Sequence, residues 1–423
     1  MAYFEPLLAI SMAFFIYRLK GLAHPMLLLW LSFPVPVSFA RLRLSSLQGA
    51  DGWCLETKLA LLGALLVFVV GLSPLKKHKE FIDRKSFGSP LLREVVASRI
   101  LSSVCLFSFY YSNYIQTGLL LPAIEVSSGI DVHVDYPDFW GTFCKLIFVA
   151  AIYSAYIAVR GKNRVDFWLC ASALLAPLSR LARVDVFMSL VGVALILLLF
   201  KMFRWRGALR KGALVSLIAV VFLFVFAFAK LGLDRLNQFG VHEVSYSESI
   251  EFIKSDYSET TALFYGYFPM SFENFDRFVR QLKGRREHGA FSFSGILIGA
   301  FKLNYFFPSL ENNQNLRKWF SPVARGATVP TAFAGPYLDY GIAGVMLFAL
   351  MLVLLIRFWH KSIHIFPSAA VPFAVILSQV SLLGFQNILL RPQGVQALIL
   401  SSFFFYLGTP KARSRKESFR KMK

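Results

Sequence analysis

The sequence predicts an all-α polytopic integral membrane protein, with about eleven transmembrane helices and one large extracytoplasmic loop. Three observations carry this expectation. Apolar runs of about 17–22 residues recur along the chain, the length that crosses roughly 30 Å of hydrocarbon at about 1.5 Å per residue. Only 16% of the 423 residues are charged and 56% are hydrophobic, against about 25% and 45–50% in soluble domains. Lysine and arginine are concentrated in alternate loops between the runs, as the positive-inside rule requires of a multi-pass chain.

The candidate spans are 2–17, 22–39, 53–73, 94–114, 139–159, 165–179, 184–203, 212–231, 336–357, 365–384 and 394–409. Counting the tail, 25 lysines and arginines fall on one side of this arrangement. The short loops of the other side carry 5, namely Arg41, Arg43, Arg180, Arg183 and Arg391. Long loops do not enter the rule, so the bias puts the C-terminus in the cytoplasm and the N-terminus outside, which needs an odd number of helices. The net charge of +21 is explained by this anchoring, and nucleic-acid binding is not required. The first run has no basic n-region and no small-residue cleavage site, so it reads as a retained helix rather than a signal peptide.

The chain therefore divides into an N-terminal transmembrane bundle of about eight helices (1–231), a large outer loop (232–335), about three C-terminal helices (336–410) and a basic cytoplasmic tail (411–423). Within the loop, the apolar segment 291–307 is short and is interrupted by Lys302 and Asn304. A full crossing there would reverse the last three helices, so it reads as a re-entrant or interfacial helix. Such a backbone is tolerated at membrane depth only against protein or water, which marks a cavity.

Four groups of residues could carry chemistry. Arg180 and Arg183, in LSRLARVDVF, are spaced i, i+3 and share a helix face at the outer mouth of the sixth and seventh spans. They read either as snorkelling interfacial arginines or as two guanidinium forks suited to a diphosphate. The stretch GYFPMSFENFDRFVRQLKGRREH repeats Phe272, Phe275, Phe278, Val279 and Leu282 at three- and four-residue intervals, an amphipathic helix. It either lies on the bilayer surface or presents Arg277 and Arg280 to an anion and Glu273 to a sugar hydroxyl. Arg325 occupies a Gly/Pro-bracketed turn before the ninth span, and Asp339 lies about one turn inside that span. An intramembrane carboxylate is normally paired and inward-facing, so Asp339 reads as a helix cap, an arginine partner or a catalytic group. Arg391 and Gln393 sit in the short outer loop LLRPQGVQ, either a plain turn or a fourth contributor of positive charge.

No metal-binding signature accompanies these groups: HEVSY at His242 lacks a second histidine, and His24, His78, His360 and His364 look interfacial. The four cysteines show no CxxC spacing and read as buried small hydrophobes. There is no P-loop and no GxGxxG, and no cofactor is expected. A group transfer outside the cytoplasm must then use an already activated donor, for which a lipid diphosphate is suited. Tyrosines and tryptophans fit sugar stacking, but also an interfacial aromatic belt.

The segments YGYFPMSFENFDRF, NYFFPSLENNQN and TVPTAFAGPYLDYGIAGVMLFALML, together with LSRLARVDVFMSLVGVALILL, resemble the Wzy family of O-antigen and capsule repeat-unit polymerases over roughly residues 160–360. The related O-antigen ligases carry a histidine-containing outer motif that has no clear match here, His288 being the one nearby candidate, and this favours polymerase over ligase. The resemblance implies a GT-C-like glycosyltransferase of the bacterial inner membrane whose site faces the periplasm. It would transfer a growing chain from undecaprenyl diphosphate to the next lipid-linked unit, with a chain-length co-polymerase as a partner. Arg180, Arg183 and Arg325 are then the first candidates to hold the diphosphate, followed by Arg277, Arg280 and Arg391. Glu273 and then Asp339 are the candidates for the general base. The alternatives are an O-antigen ligase, a flippase of the same lipid-linked sugar, and a scaffolding subunit.

Overall fold

A computed structural model of the protein describes residues 4–21, 23–43, 48, 52–75, 89–121, 139–161, 163–180, 183–200, 259–322, 330–385 and 389–409. All the regular structure among these residues is helical. In chain order the helices are α1 (Phe4–Lys20), α2 (Pro25–Ser32), α3 (Pro34–Ala40), α4 (Leu55–Leu72), α5 (Leu92–Thr117), α6 (Phe139–Lys145), α7 (Ile147–Gly161), α8 (Arg164–Leu175) and α9 (Arg183–Leu199). After a stretch outside the described residues come α10 (Glu259–Leu282), α11 (Ala290–Phe301), α12 (Ser309–Asn313), α13 (Ala334–Ile363), α14 (Ala370–Val380) and α15 (Pro392–Gly408).

Three helices, α4, α5 and α13, are long and apolar enough to cross a membrane. Each is apolar on both its inner and its outer face: on α4, Phe68 is fully buried while Leu66 is 56% exposed. A helix that is hydrophobic on its outer face as well needs an apolar solvent there, so the chain is a membrane-associated helical protein.

Other expected spans are helical but shorter, and the structure shows why. The run 22–39, expected as one span, is two helices. Phe33 (φ −132°, ψ −69°) leaves the helical region, because Pro34 disfavours the α conformation of the residue before it and Pro36 follows. His24 caps α2 by accepting the Met26 N–H at 3.2 Å, with Pro25 at the first helical position. The run 139–159 is likewise two helices, joined at Leu146. The span expected at 165–179 passes from α8 into a 3-10 turn over Ala176–Arg180. The span expected at 212–231 lies outside the described residues, as do the tail and most of the first half of the outer loop.

The core is built around α7 and α14, whose sides are almost wholly covered. All residues of α14 are buried. It packs against α2, α7, α9, α13 and α15. The helix α13 is broken at Tyr340–Gly341, where Gly341 takes φ 62°, a conformation that only glycine adopts readily. Its short first piece carries Tyr337 and Asp339, and the long second piece packs along α4. The amphipathic helix of the expected outer loop, α10, does not lie apolar face down on a bilayer. Phe272, Phe275, Phe278, Val279 and Leu282 are buried by protein, with Phe272 stacked on Phe33 and Trp53 and Phe275 edge-on to Tyr337. The segment expected to be re-entrant forms α11, of 12 residues, about 18 Å at 1.5 Å per residue, too short to cross.

Candidate functional site

A cavity of about 420 Å³ opens between α6, α11, α12 and the start of α15, lined by Lys145, Lys302 and Arg391 together with Thr142, Asn304, Glu311, Gln314 and Gln393. Two glycines allow it to form. Gly295 and Gly299, one turn apart on α11, let the backbone of residues 390–392 lie directly on that helix. A Cβ on Gly295 would sit 1.8 Å from the Leu390 carbonyl oxygen, and one on Gly299 2.8 Å from that of Pro392. The loop thus held begins α15 with Arg391 as N-cap and Pro392 at the first position.

At its far end α11 stops at Lys302, which takes a left-handed φ of 54° and donates its N–H to the Ile298 carbonyl at 3.0 Å. This turn carries the Lys302 side chain across to α6, where Nζ donates to Thr142 Oγ1 at 2.7 Å. The chain then makes a 3-10 turn (Leu303–Tyr305) and α12. Gln314 closes this return by donating to the Phe291 carbonyl and to Ser294 Oγ at 2.8 Å.

The cavity is cationic. Burial, and then the charge of Lys145, push the Lys302 ammonium below its ordinary pKa of 10.5. Positive groups that disfavour one another in a partly desolvated space are stabilised by an anion between them. Gln393 donates to the Lys145 carbonyl at 2.9 Å and to Asp185 Oδ1 at 3.2 Å, which fastens the start of α9 to the cavity wall. Arg183, two residues before Asp185, begins α9. Arg180 ends the 3-10 turn beside Ser179, whose Oγ accepts from Asn113 at 3.1 Å. The backbones of both arginines are described; their guanidinium groups are not. Arg325 lies outside the described residues.

The remaining sequence candidates form a different cluster. Glu273 is 7% exposed and accepts from Trp53 Nε1 at 2.8 Å and Gln48 Nε2 at 3.3 Å. Burial raises its pKa above the ordinary carboxylate value, against the pull of those two hydrogen bonds. Asp276 accepts the Cys54 N–H at 2.7 Å and pairs with Arg280 at 2.6 Å. Arg280 also donates to the Gly52 carbonyl at 2.5 Å, and Arg277 is exposed, donating to the Pro322 carbonyl at 3.4 Å. Together Glu273, Asp276 and Arg280 pin Gln48, Gly52, Trp53 and Cys54 to α10. None of them lines the cavity.

Asp339, 1% exposed, accepts from the Phe291 N–H and the Ser292 N–H, each at 3.0 Å, and from Ser292 Oγ. It is a cap, as one sequence reading had it, but of α11 rather than of its own helix. A carboxylate is favoured at a helix N-terminus by the unpaired N–H groups and the helix dipole.

Arg391 is thus the one arginine of the sequence set whose described side chain lines the cavity. Sequence reasoning missed Lys145, Lys302 and Glu311 as its companions. The available signal was Lys302 interrupting an apolar segment. It also missed Arg286, which stacks over the Tyr337 ring at 4.7 Å, while the Tyr337 hydroxyl donates to Glu56. His288 is exposed, and its carbonyl accepts from the Tyr340 hydroxyl at 3.0 Å. Among the described residues no group of three or more His, Cys, Asp or Glu is arranged to hold a metal ion. No protein-family model, curated protein or solved structure matches the chain.

Proposed function

We propose that this chain is a multi-pass glycosyltransferase of the bacterial inner membrane that polymerises undecaprenyl-diphosphate-linked oligosaccharide repeat units at the periplasmic face. The observation that carries the reading is the cationic cavity, where Lys145, Lys302 and Arg391 meet beside the α9 junction that bears Arg180 and Arg183. A diphosphate is an anion whose charge suits such a set. A volume of about 420 Å³ falls within the range of about 300–1,000 Å³ typical of small-ligand sites.

The chemistry follows from that charge. The acceptor hydroxyl oxygen bonds to the anomeric carbon of the growing chain, and the anomeric C–O bond to the lipid diphosphate breaks. Its electron pair leaves on the diphosphate. Cations already aimed at that group stabilise the developing charge without reorganising. The eleven-span topology, the GT-C-like fold and the chain-length co-polymerase partner belong to the same proposal.

The test is the lipopolysaccharide or capsule ladder of a deletion strain, with and without the gene. A single repeat unit on the core after deletion, with the ladder restored by the wild-type gene but not by Arg391→Ala or Arg183→Ala, supports the polymerase. Loss of even the single repeat turns the reading to a ligase or an earlier step. An unchanged ladder refutes both.

A further inference from the structure

The polymerisation step releases one proton from the acceptor hydroxyl, and none of the cations can take it. We infer that Glu311 is the group that does. The inference rests on the polymerase reading above and names a further catalytic residue for it.

Among the described residues, Glu311 is the sole carboxylate that lines the cavity. Its position comes from the α11–α12 return described above. Lys302 turns the chain, the 3-10 turn carries Asn304, and Glu311 falls in the first turn of α12. Asn304 Nδ2 donates to Glu311 Oε1 at 2.8 Å. That bond orients the carboxylate and leaves Oε2 without a hydrogen-bond partner among the described residues. Glu311 also forms no ion pair with the three cations that line the same cavity. It is a carboxylate in the wall of a cationic cavity, in no ion pair and with one oxygen available.

The two carboxylates that sequence reasoning favoured do not line the cavity. Glu273 Oε1 is occupied by Trp53 and Gln48 away from the cavity, and both Asp339 oxygens are occupied by the N-terminus of α11.

The step balances. The C–O bond forms at the anomeric carbon, the bond to the diphosphate breaks with its electron pair, and the hydroxyl proton passes to Glu311 Oε2. Departure of the product then lets the proton pass from Glu311 to water.

The experiment uses the full chain in detergent with lipid-linked repeat units. It measures the initial rate of chain extension against pH, and the binding of inorganic pyrophosphate, for wild type, Glu311→Gln and Glu311→Asp. The expected result is a loss of about 100-fold or more in rate for Glu311→Gln, the size of a general-base contribution. Pyrophosphate affinity should stay within about twofold, the acid limb of the pH–rate profile should disappear, and Glu311→Asp should retain part of the rate. A Glu311→Gln rate within about tenfold of wild type, with the acid limb intact, overturns the assignment. Loss of pyrophosphate binding in parallel with the rate also overturns it, because Glu311 would then build the site rather than accept the proton. A wild-type chain that fails to extend lipid-linked units sinks the polymerase reading itself, and the assignment falls with it.

Discussion

Lys302 and Thr142 lie 160 residues apart in sequence and are joined by a 2.7 Å hydrogen bond from the lysine ammonium to the threonine hydroxyl. That bond ties α11 to α6 and holds the ammonium at the wall of the cavity. Lys302→Ala should weaken pyrophosphate binding by about tenfold, equivalent to about 1.4 kcal/mol. Thr142→Val, which frees the ammonium without removing it, should cost less. The sign of the pH dependence is also set. The anion binds the protonated lysine, and the Lys302 pKa is below 10.5, so affinity should fall as pH rises through that lowered value. Calorimetric titration of pyrophosphate between neutral and alkaline pH checks both points. The Lys302→Ala protein should lack this alkaline decline.

Glu273 offers a contrast between a stability role and a catalytic one. Its folded-state pKa is raised from 4.5, chiefly by burial. A carboxylate shifted in this direction stabilises the fold fully below its unfolded pKa, and that contribution is lost as pH rises through the folded value. The same burial makes the ionised form the costly one. Glu273→Gln keeps an oxygen to accept from Trp53 and Gln48 and removes the charge. It should leave thermal stability at pH 7 equal or higher, abolish this part of the pH dependence, and preserve polymerisation. Glu273→Leu strands both donors and should destabilise by about 1–3 kcal/mol. Thermal unfolding in detergent from pH 4 upward measures the series. A stable Glu273→Gln protein without polymerase activity would restore the general-base role that the sequence suggested.

Asp339 caps a helix remote in sequence, and its removal should be felt there first. Asp339→Ala frees the Phe291 and Ser292 N–H groups of α11, a loss of about 0.5–2 kcal/mol for an N-cap. Asp339→Asn keeps one acceptor oxygen and should fall between. Hydrogen exchange at residues 290–294 should rise in Asp339→Ala, with α4 unaffected.

How much of this was legible in the sequence depends on range. The apolar runs located the helices, because hydrophobic length is a local property. The break at Phe33 was also local, written in Pro34 and Pro36, but a window of mean hydropathy passes over it. The burial of Phe272, Phe275 and Phe278 was half legible: their spacing says that one helix face is covered, and periodicity alone cannot say whether lipid or protein covers it. The cavity was the least legible part. Lys145, Lys302, Glu311 and Arg391 come from four segments, and they meet because of a backbone contact between α11 and residues 390–392; Gly295 and Gly299 permit a close approach, but their spacing does not say which segment approaches. Asp339 was recognised as an expensive charge that needed partners, but those partners are backbone N–H groups 47 and 48 residues away.

That backbone contact is itself testable. A Cβ on Gly295 would lie 1.8 Å from the Leu390 carbonyl oxygen and 2.9 Å from its carbon. Both are main-chain atoms, so no rotamer change relieves the clash, and α11 and the start of α15 must separate. Gly295→Ala should therefore destabilise the protein by about 1–3 kcal/mol, the usual cost of overpacking. It should also move Arg391 away from Lys302, weakening pyrophosphate binding beyond what the stability loss explains. Gly63→Ala is the control: its Cβ would meet only the flexible Met346 side chain, at 3.2 Å and 3.3 Å, which can give way. Thermal unfolding and pyrophosphate titration on the two proteins separate the cases. If Gly295→Ala binds pyrophosphate like wild type at a temperature where both are folded, Arg391 and Lys302 do not act on one anion, and the cavity loses its claim to be the diphosphate site.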